Sequence, residues 1–213
     1  MASSATVSSS PHHVDNARNA LAERGWWMSW RMTLVAVVVT GASKGIGLAI
    51  AQALGLAGAQ VAINGLGTDE QIAAALESIR GNGASAARHY PADLRDAAAI
   101  EEMMNDCQAW SPPDIVVNCA GMQHTAPLAE MPTASWDALI AVNLSAAFHT
   151  MRLALPGMAT RGFGRVINVA SVHGLVASVH KAPYVASKFG LIGLSKVAAL
   201  EYAAAGSRAS GGV

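Results

Sequence analysis

The chain of 213 residues is long enough for one domain with a substantial core. Basic and acidic side chains balance at 14 each, so the positive surplus of a nucleic-acid-binding protein is missing. Hydrophobic residues make up 52% and charged residues 13%, which favours a parallel sheet covered on both faces or an oligomer. Cys107 and Cys119 are too few for a disulfide framework and lack metal-ligand spacing. We therefore expect free thiols in a reducing compartment and no metal site.

The first 31 residues differ in composition from the rest of the chain. They are rich in Ser, His and Asn and then carry Trp26, Trp27 and Trp30. They lack the apolar stretch of a secretory signal, and their acidic residues fit a mitochondrial presequence poorly. We interpret residues 1–31 as a disordered or upstream extension and expect the catalytic domain at residues 32–203. No apolar run approaches the roughly 20 residues of a membrane span, so we expect a cytoplasmic protein that has no membrane partner.

A short β-branched run, Leu34–Val39, predicts a buried parallel strand, followed by a glycine-rich turn and an Ala/Leu-rich helix. This order is the setting that a dinucleotide-binding loop requires. Glycines permit a tight turn and close backbone approach, and the helix N-terminus faces a pyrophosphate. A glycine turn that binds no nucleotide is the alternative. The candidate cofactor-binding residues of the turn are Gly41, Ser43, Lys44, Gly45, Ile46 and Gly47.

The end of the second predicted strand, Val61–Ile63, bears on the choice of cofactor. An acidic residue here would bind the ribose hydroxyls of NAD, and an arginine would suit the extra phosphate of NADP. Neither is present in the following residues 64–67, which read NGLG. Lys44 in the glycine turn can reach a 2′-phosphate. These residues alone leave both cofactors open.

Further alternation of strands and helices predicts a doubly wound, mostly parallel α/β sheet of the Rossmann type in a single domain. Asp93 can accept a hydrogen bond from an adenine amino group, or it can cap the helix predicted at residues 97–109. Small residues after the buried strand 114–117 would let the backbone approach a cofactor. The candidate cofactor-binding residues in these segments are Asp93, Leu94, Asn118, Ala120 and Gly121.

Asn143 lies near the middle of a long predicted helix, Trp136–Met158. An asparagine in a helix interior is neutral to mildly unfavourable. We consider two interpretations: a satisfied amide in the core, or a kinked, water-binding position behind Tyr184. The predicted strand Arg165–Val169 delivers Ser171 at its C-terminal end, where ligands lie in open α/β sheets.

Tyr184 and Lys188 lie four residues apart on the predicted helix Pro183–Glu201 and so share one face. Tyrosine has an ordinary pKa of about 10, and a nearby ammonium favours the phenolate and lowers that pKa. Ser171 can then hold the substrate oxygen that gains or loses the proton. The three residues form a general acid–base device for interconverting a carbonyl and an alcohol. A Tyr-x-x-x-Lys pair alone also occurs as an exposed helical turn.

In combination, these motifs resemble the short-chain dehydrogenase/reductase family. The resemblance implies that Tyr184 is the catalytic acid/base and that Lys188 lowers its pKa and binds the nicotinamide ribose. It further implies that Ser171 orients the reacting oxygen, that Asn143 holds a water of the proton relay, and that the protein is a tetramer. The matching segments are TGASKGIG at 40–47, NCAG at 118–121, Asn143, Ser171, Tyr184 and Lys188, and they span roughly 34–202.

A closer resemblance is to the bacterial-type D-3-hydroxybutyrate dehydrogenase subgroup, which uses NAD. It is carried by GMQHT at 121–125, by NLSA at 143–146, by HGLVAS at 173–178, and by the NGLG end of the second strand. The resemblance implies that Gln123, His173 and Lys181 contact the substrate carboxylate. An amide, an imidazole and an ammonium can all donate hydrogen bonds to a small carboxylate. The alternatives are a loop amide, a capping histidine and a solvated lysine.

The chain also departs from the family pattern. Cys119 stands where the family usually has a second Asn, and Lys44 is more typical of NADP-preferring members. Family members continue well past the active-site helix, whereas residues 204–213 form a low-complexity tail with no apolar strand. We therefore expect a C-terminally truncated chain that lacks the last strands and leaves a sheet edge open, which is an aggregation liability.

These inferences predict an NAD-dependent oxidoreductase that interconverts D-3-hydroxybutyrate and acetoacetate, or acts on a close 3-hydroxy acid. Two rival hypotheses remain. An NADP-dependent 3-oxoacyl reductase is favoured by Lys44 and disfavoured by Gln123, His173 and Lys181. An inactive chain that binds nucleotide or associates with full-length relatives is favoured by the short C-terminus.

Overall fold

The computed structural model of the protein describes residues 35–205 and 207–212. These residues belong to one compact unit with the bounds Met32–Val213. The predicted extension at residues 1–31 lies outside the described residues.

Valine-rich strands and amphipathic helices alternate along the chain, and the strands pair in parallel in the order β3-β2-β1-β4-β5-β6. The strands are β1 Ala36–Val39, β2 Gln60–Ile63, β3 Ala86–His89, β4 Ile115–Asn118, β5 Gly164–Val169 and β6 Ser207–Gly212. The helices are α1 Gly45–Leu56, α2 Asp69–Gly81, α3 Ala97–Trp110, α4 Thr133–Ile140, α5 Ala146–Thr160 and α6 Ala182–Tyr202. This order confirms the predicted doubly wound Rossmann-like sheet.

Successive strand residues face opposite sides of the sheet, so the sheet builds two separate cores. On one side Val38, Val116 and Val166 pack with buried residues of α3, α5 and α6. On the other side Val39 and Val61 pack with buried residues of α1 and α2. Both faces are therefore covered, which explains why these strands read as continuous apolar runs rather than alternating ones.

The last strand corrects one expectation. Ser207–Gly212 forms β6 and pairs in parallel with the whole of β5, from Gly164 opposite Ser207 to Val169 opposite Gly212. The expectation of an open β5 edge was therefore wrong. The expectation relied on the lack of an apolar pattern in residues 204–213. A strand at the edge of a sheet pairs through its backbone N–H and C=O groups, which residues without an apolar pattern also have.

One continuous helical stretch, Thr133–Thr160, is long and apolar enough to cross a membrane by length and composition alone. The stretch is not an uninterrupted apolar run, because Asp137 and Arg152 lie within it. A core helix passes the same test, and α5 within this stretch packs against β4, β5 and α3.

Candidate active site

The candidate site lies at the carboxyl ends of β1, β2, β4 and β5, because a parallel sheet brings all these ends to one edge. The glycine turn follows β1, the loop at residues 119–127 follows β4, and Ser171 follows β5. The helix α6 carries Tyr184 and Lys188 to the same edge.

The glycine turn packs directly against the loop after β4. A Cβ atom at Gly41 would lie 2.6 Å from the Cα of Ala120, and Gly41 has a positive φ of 66°. Only glycine meets both demands without strain. Thr40 holds the second loop in place, since its Oγ1 accepts the N–H groups of Cys119 at 3.1 Å and Ala120 at 3.2 Å.

The loop after β2 is pinned by two side chains. Ser43 Oγ donates to the carbonyl of Leu66 at 2.8 Å, and His89 Nε2 lies 2.9 Å from the carbonyl oxygen of Gly65. A Cβ atom at Gly65 would come within 2.7 Å of Ser43 Oγ, so the glycine allows the close contact. This loop and the glycine turn form one wall of a cleft.

The cleft has a volume of about 820 Å³, within the usual range for small-molecule sites. Every predicted cofactor-binding residue lines it except Gly45 and Asn118. Those that do are Gly41, Ser43, Lys44, Ile46, Gly47, Asp93, Leu94, Ala120, Gly121, Tyr184 and Lys188. Of the predicted substrate residues, Gln123 and Tyr184 line the cleft, whereas Ser171, His173 and Lys181 lie outside its lining.

The geometry fits a dinucleotide. The α1 helix begins at the cleft with Lys44 at its N-cap, without a side-chain cap and without an acidic residue in its first turn. Its first backbone N–H groups are thus left for an anionic ligand. A Cβ atom at Gly45 would meet no atom within 4 Å, so the backbone there stands open.

Asn118 supports the site from below. Its Nδ2 donates to Asn168 Oδ1, and its Oδ1 accepts from Thr150 Oγ1, both at 2.8 Å. Asn168 in turn donates to Ser195 Oγ on α6 at 2.8 Å. All four side chains are buried. This network ties β4, β5, α5 and α6 together beneath the strand ends that carry the site.

Asp93 lines the cleft and pairs with Arg95, which also lines it. The predicted alternative of Asp93 as a helix cap is wrong, since Asp96 caps α3 by accepting the N–H of Ala98 at 2.8 Å. Sequence reasoning missed Arg95, although its separation of two residues from an acidic candidate was a signal that could have found it.

Asn143 lies in a π-helical turn, Ala141–Ser145, between α4 and α5. Its Oδ1 accepts the N–H of Met122 at 2.9 Å, while its Nδ2 donates to the Met122 carbonyl at 3.0 Å and to Ser187 Oγ at 3.3 Å. The side chain thus clamps the loop after β4 to α6. The structure confirms a satisfied buried amide in a distorted helix, and the role of Asn143 in binding a water stays a prediction.

Lys188 is buried beneath Tyr184. Its Nζ donates to the carbonyl of Val169 at 2.8 Å and lies 5.7 Å from the centre of the Tyr184 ring. Burial lowers the pKa of Lys188, and the nearby Cys119 opposes that shift. One buried cation therefore links the end of β5 to the tyrosine.

Ser171, His173 and Lys181 form a second group next to the tyrosine. Ser171 Oγ accepts the N–H of His173 at 3.2 Å. The rings of His173 and Tyr184 meet edge to face, with centroids 6.1 Å apart. Lys181 Nζ lies 3.5 Å from His173 Nε2, while His173 Nδ1 is buried with no hydrogen-bond partner among the described residues.

Two loops meet over this group. Ala126, in the loop that carries Gln123, donates its N–H to the carbonyl of His180 at 3.0 Å. His180 adopts a positive φ of 61° just before Lys181. The exposed Gln123 and the half-buried Lys181 thus lie on loops that contact each other.

Comparison with known proteins agrees with this geometry. A sequence profile of short chain dehydrogenases matches residues 35–211. A D-beta-hydroxybutyrate dehydrogenase of Cupriavidus necator is 50% identical over 174 residues, covering 81% of this chain and 67% of that relative. A D-beta-hydroxybutyrate dehydrogenase of Rhizobium meliloti is 45% identical over 170 residues, covering 79% and 66%. The matched region is therefore about two thirds of the length of these relatives.

A crystal structure of a proposed gluconate dehydrogenase from Agrobacterium tumefaciens matches with a TM-score of 0.80 and 32% identity, covering 85% of this chain and 72% of that one. The profile match, the two relatives and the shared fold lead to one conclusion: the chain belongs to the short-chain dehydrogenase/reductase family of oxidoreductases, whose members use a nicotinamide cofactor.

Proposed function

We propose that the protein is an NAD-dependent oxidoreductase that interconverts D-3-hydroxybutyrate and acetoacetate, or acts on a close 3-hydroxy acid. The observation that carries the proposal is the Lys181 ammonium 3.5 Å from His173, whose ring contacts Tyr184. The names of the two similar dehydrogenases support the same substrate.

Recognition of a four-carbon hydroxy acid rests on its carboxylate, since the molecule offers little apolar surface. Lys181 supplies a positive charge, and His173 supplies a ring N–H. If His173 Nε2 accepts from the ammonium, then Nδ1 carries the proton and lacks an acceptor. The Lys181 ammonium and the Gln123 amide on the facing loop are the donors that a substrate carboxylate would meet, whereas the buried Nδ1 proton would need a local rearrangement to reach it.

Proton transfer is assigned to Tyr184. When the alcohol is oxidised, its hydroxyl proton passes to the Tyr184 phenolate, and in the reverse direction the phenol returns it. The Lys188 ammonium lies 5.7 Å from the centre of the Tyr184 ring, so its positive charge is close to the group that transfers the proton. In the described part of the chain the Ser171 hydroxyl accepts the N–H of His173 and donates to no other group, so its proton can bind the reacting oxygen. The nicotinamide cofactor, when bound, accepts or returns the hydride at substrate C3.

The preference for NAD rests on the loop after β2, which carries no arginine and whose residues 64–67 resemble those of NAD-using relatives. Lys44 argues the other way. It is exposed and lines the cleft, as a cation for a 2′-phosphate would. An NADP-dependent 3-oxoacyl reductase is therefore the second candidate function.

We also propose that the protein works as a homo-oligomer in the cytoplasm, a tetramer by resemblance, with a small hydroxy acid or keto acid as its substrate. No nucleic acid or membrane is a partner in this proposal. Exposed apolar side chains on α5 and α6, among them Phe148, Phe189 and Leu200, support an interface between copies.

The proposed substrate is tested by replacing the ammonium. Lys181→Ala should lower kcat/KM for D-3-hydroxybutyrate by roughly tenfold or more, because a charged hydrogen bond contributes about 1.5–3 kcal/mol. The methyl ester of the substrate is the control, since it has no charge to pair and its kcat/KM should scarcely change. Equal losses on acid and ester would mean that Lys181 supports its loop and does not bind the carboxylate.

A further inference from the structure

We infer that Arg95 weakens the selection of adenine by this chain, because it competes with the adenine amino group for the Asp93 carboxylate. The inference rests on the proposed binding of a nicotinamide dinucleotide in the cleft. It assigns to Arg95 a role as a specificity-determining residue that acts through Asp93.

Arg95 engages both oxygens of the carboxylate. Its backbone N–H donates to Asp93 Oδ1 at 2.9 Å, and its Nε lies 3.0 Å from both Oδ1 and Oδ2. Its Nη2 donates to Oδ2 at 2.5 Å. An ionised carboxylate offers about four lone-pair sites. Three N–H groups of one residue, with the Nε–H shared between both oxygens, take up most of that acceptor capacity and leave little for a ligand.

The competition takes place where the ligand would bind. Asp93 and Arg95 both line the cleft that the glycine turn opens into. An adenine amino group can only donate a hydrogen bond through its N–H atoms, so it requires a free acceptor. A guanidinium can only donate, so it takes up that acceptor and offers a donor in its place. Hypoxanthine has a carbonyl oxygen in place of the adenine amino group. That oxygen could accept a hydrogen bond from the Arg95 guanidinium, whereas the Asp93 carboxylate alone would offer it no donor.

The pair is weak enough to be displaced. The side chains of Arg95 and Asp93 are 61% and 41% exposed. Exposed ion pairs are worth little and are screened by salt. Arg95 should therefore reduce adenine selection without abolishing it, and its removal should raise the preference for adenine about two- to fivefold.

The test compares dissociation constants of NAD and nicotinamide hypoxanthine dinucleotide, measured by titration calorimetry. Arg95→Ala should raise the ratio of affinities in favour of NAD by about two- to fivefold. The ratio cancels any general attraction of Arg95 for the phosphates, which both ligands carry. Arg152→Ala is the matched control, since Arg152 forms a similarly exposed pair with Glu101 outside the cleft lining. An unchanged ratio in Arg95→Ala would overturn the inference.

A double-mutant cycle separates the route through Asp93 from a direct effect. In an Asp93→Ala background, Arg95→Ala should leave the ratio unchanged, because no carboxylate remains to compete for. If the affinity ratio rises equally in the Asp93→Ala background, Arg95 does not act through Asp93.

A second readout needs no cofactor. The hydrogen bonds from Arg95 hold the pKa of Asp93 at about 2, well below its usual range. Arg95→Ala should return that pKa toward its ordinary value of about 3.9 in an NMR titration, and no change would overturn the pairing in solution. Failure of wild-type protein to bind NAD at all would instead count against the proposed function, so the two failures are distinguishable.

Discussion

Lys188 links two parts of the candidate site, the end of β5 and the Tyr184 ring. It is only 5% exposed, and its Nζ links the Val169 carbonyl to the Tyr184 ring. Lys188→Ala should lower NAD affinity by roughly tenfold or more, as expected for the loss of a charged hydrogen bond. Turnover should fall as well. Affinity is measured by NAD titration and turnover by steady-state kinetics.

Lys196 provides the matched control for that prediction. It lies two turns further along α6 and is exposed, so Lys196→Ala should change neither quantity. Normal NAD affinity in Lys188→Ala, with the helical content unchanged, would show that the lysine does not bind the cofactor.

At the scale of single residues, sequence analysis identified the site residues whose relative positions follow from their spacing along a helix. Tyr184 and Lys188 share a helix face because they are four residues apart, and that was readable in advance. Arg95 was not found, because its pairing with Asp93 depends on the conformation of a loop. The network of Asn118 with Asn168 also escaped notice, since two residues 50 positions apart meet only once β4 and β5 pair.

At the scale of elements, β6 leads to a prediction about backbone exchange. In a parallel pair the N–H groups of an edge strand alternate between the partner strand and the other side. Along Ser207–Gly212, alternate amides should therefore exchange slowly with solvent deuterium, because β5 protects them. The strand at the opposite edge, β3, should show the same alternation and serves as the comparison. Equally fast exchange at all six positions would mean that β6 does not pair in solution.

The contrast between β1 and β6 explains which elements the sequence can predict. The run AVVV in β1 is buried on both faces. Burial requires apolar side chains, and a run of apolar residues is visible in the sequence. The residues SRASGG in β6 pair through the backbone, and the sequence carries no periodic signal for that. The π-helical turn at Ala141–Ser145 was also only partly predictable. Asn143 suggested a distortion of the helix, but its hydrogen-bond partners Met122 and Ser187 lie far away in the sequence.

At the scale of the whole molecule, a buried thiol makes stability depend on pH. Burial raises the pKa of Cys107 from 9.0 to about 12, with Asp106 adding to the shift. In the unfolded chain the thiol ionises from about pH 9 upward, whereas in the folded protein it stays protonated. The folded state then binds more protons, so its stability falls as pH rises between about 9 and 12, by up to about 1.4 kcal/mol per pH unit.

The variant Cys107→Ala isolates this contribution. The free energy of unfolding of wild type minus that of the variant should decrease from about pH 8 to about pH 10, measured by urea denaturation. Groups that do not interact with Cys107, Lys188 among them, titrate in both proteins and cancel in the difference, while Tyr90, whose pKa Cys107 raises, titrates mainly above this range. A difference that stays constant over this range would show that the Cys107 thiol is not held protonated by the fold.

The most direct measurement of the central claim is the formation of reduced nicotinamide from D-3-hydroxybutyrate, followed by absorbance with NAD and with NADP. Wild type should reduce NAD in preference to NADP. Tyr184→Phe should lose a factor of about 100 to 10,000 in turnover, the usual contribution of a general acid–base group, while its NAD affinity stays near that of wild type. Reduction of a 3-oxoacyl thioester with NADPH, without oxidation of hydroxybutyrate, would contradict the claim. So would turnover that survives in Tyr184→Phe, or NAD binding without turnover in wild type.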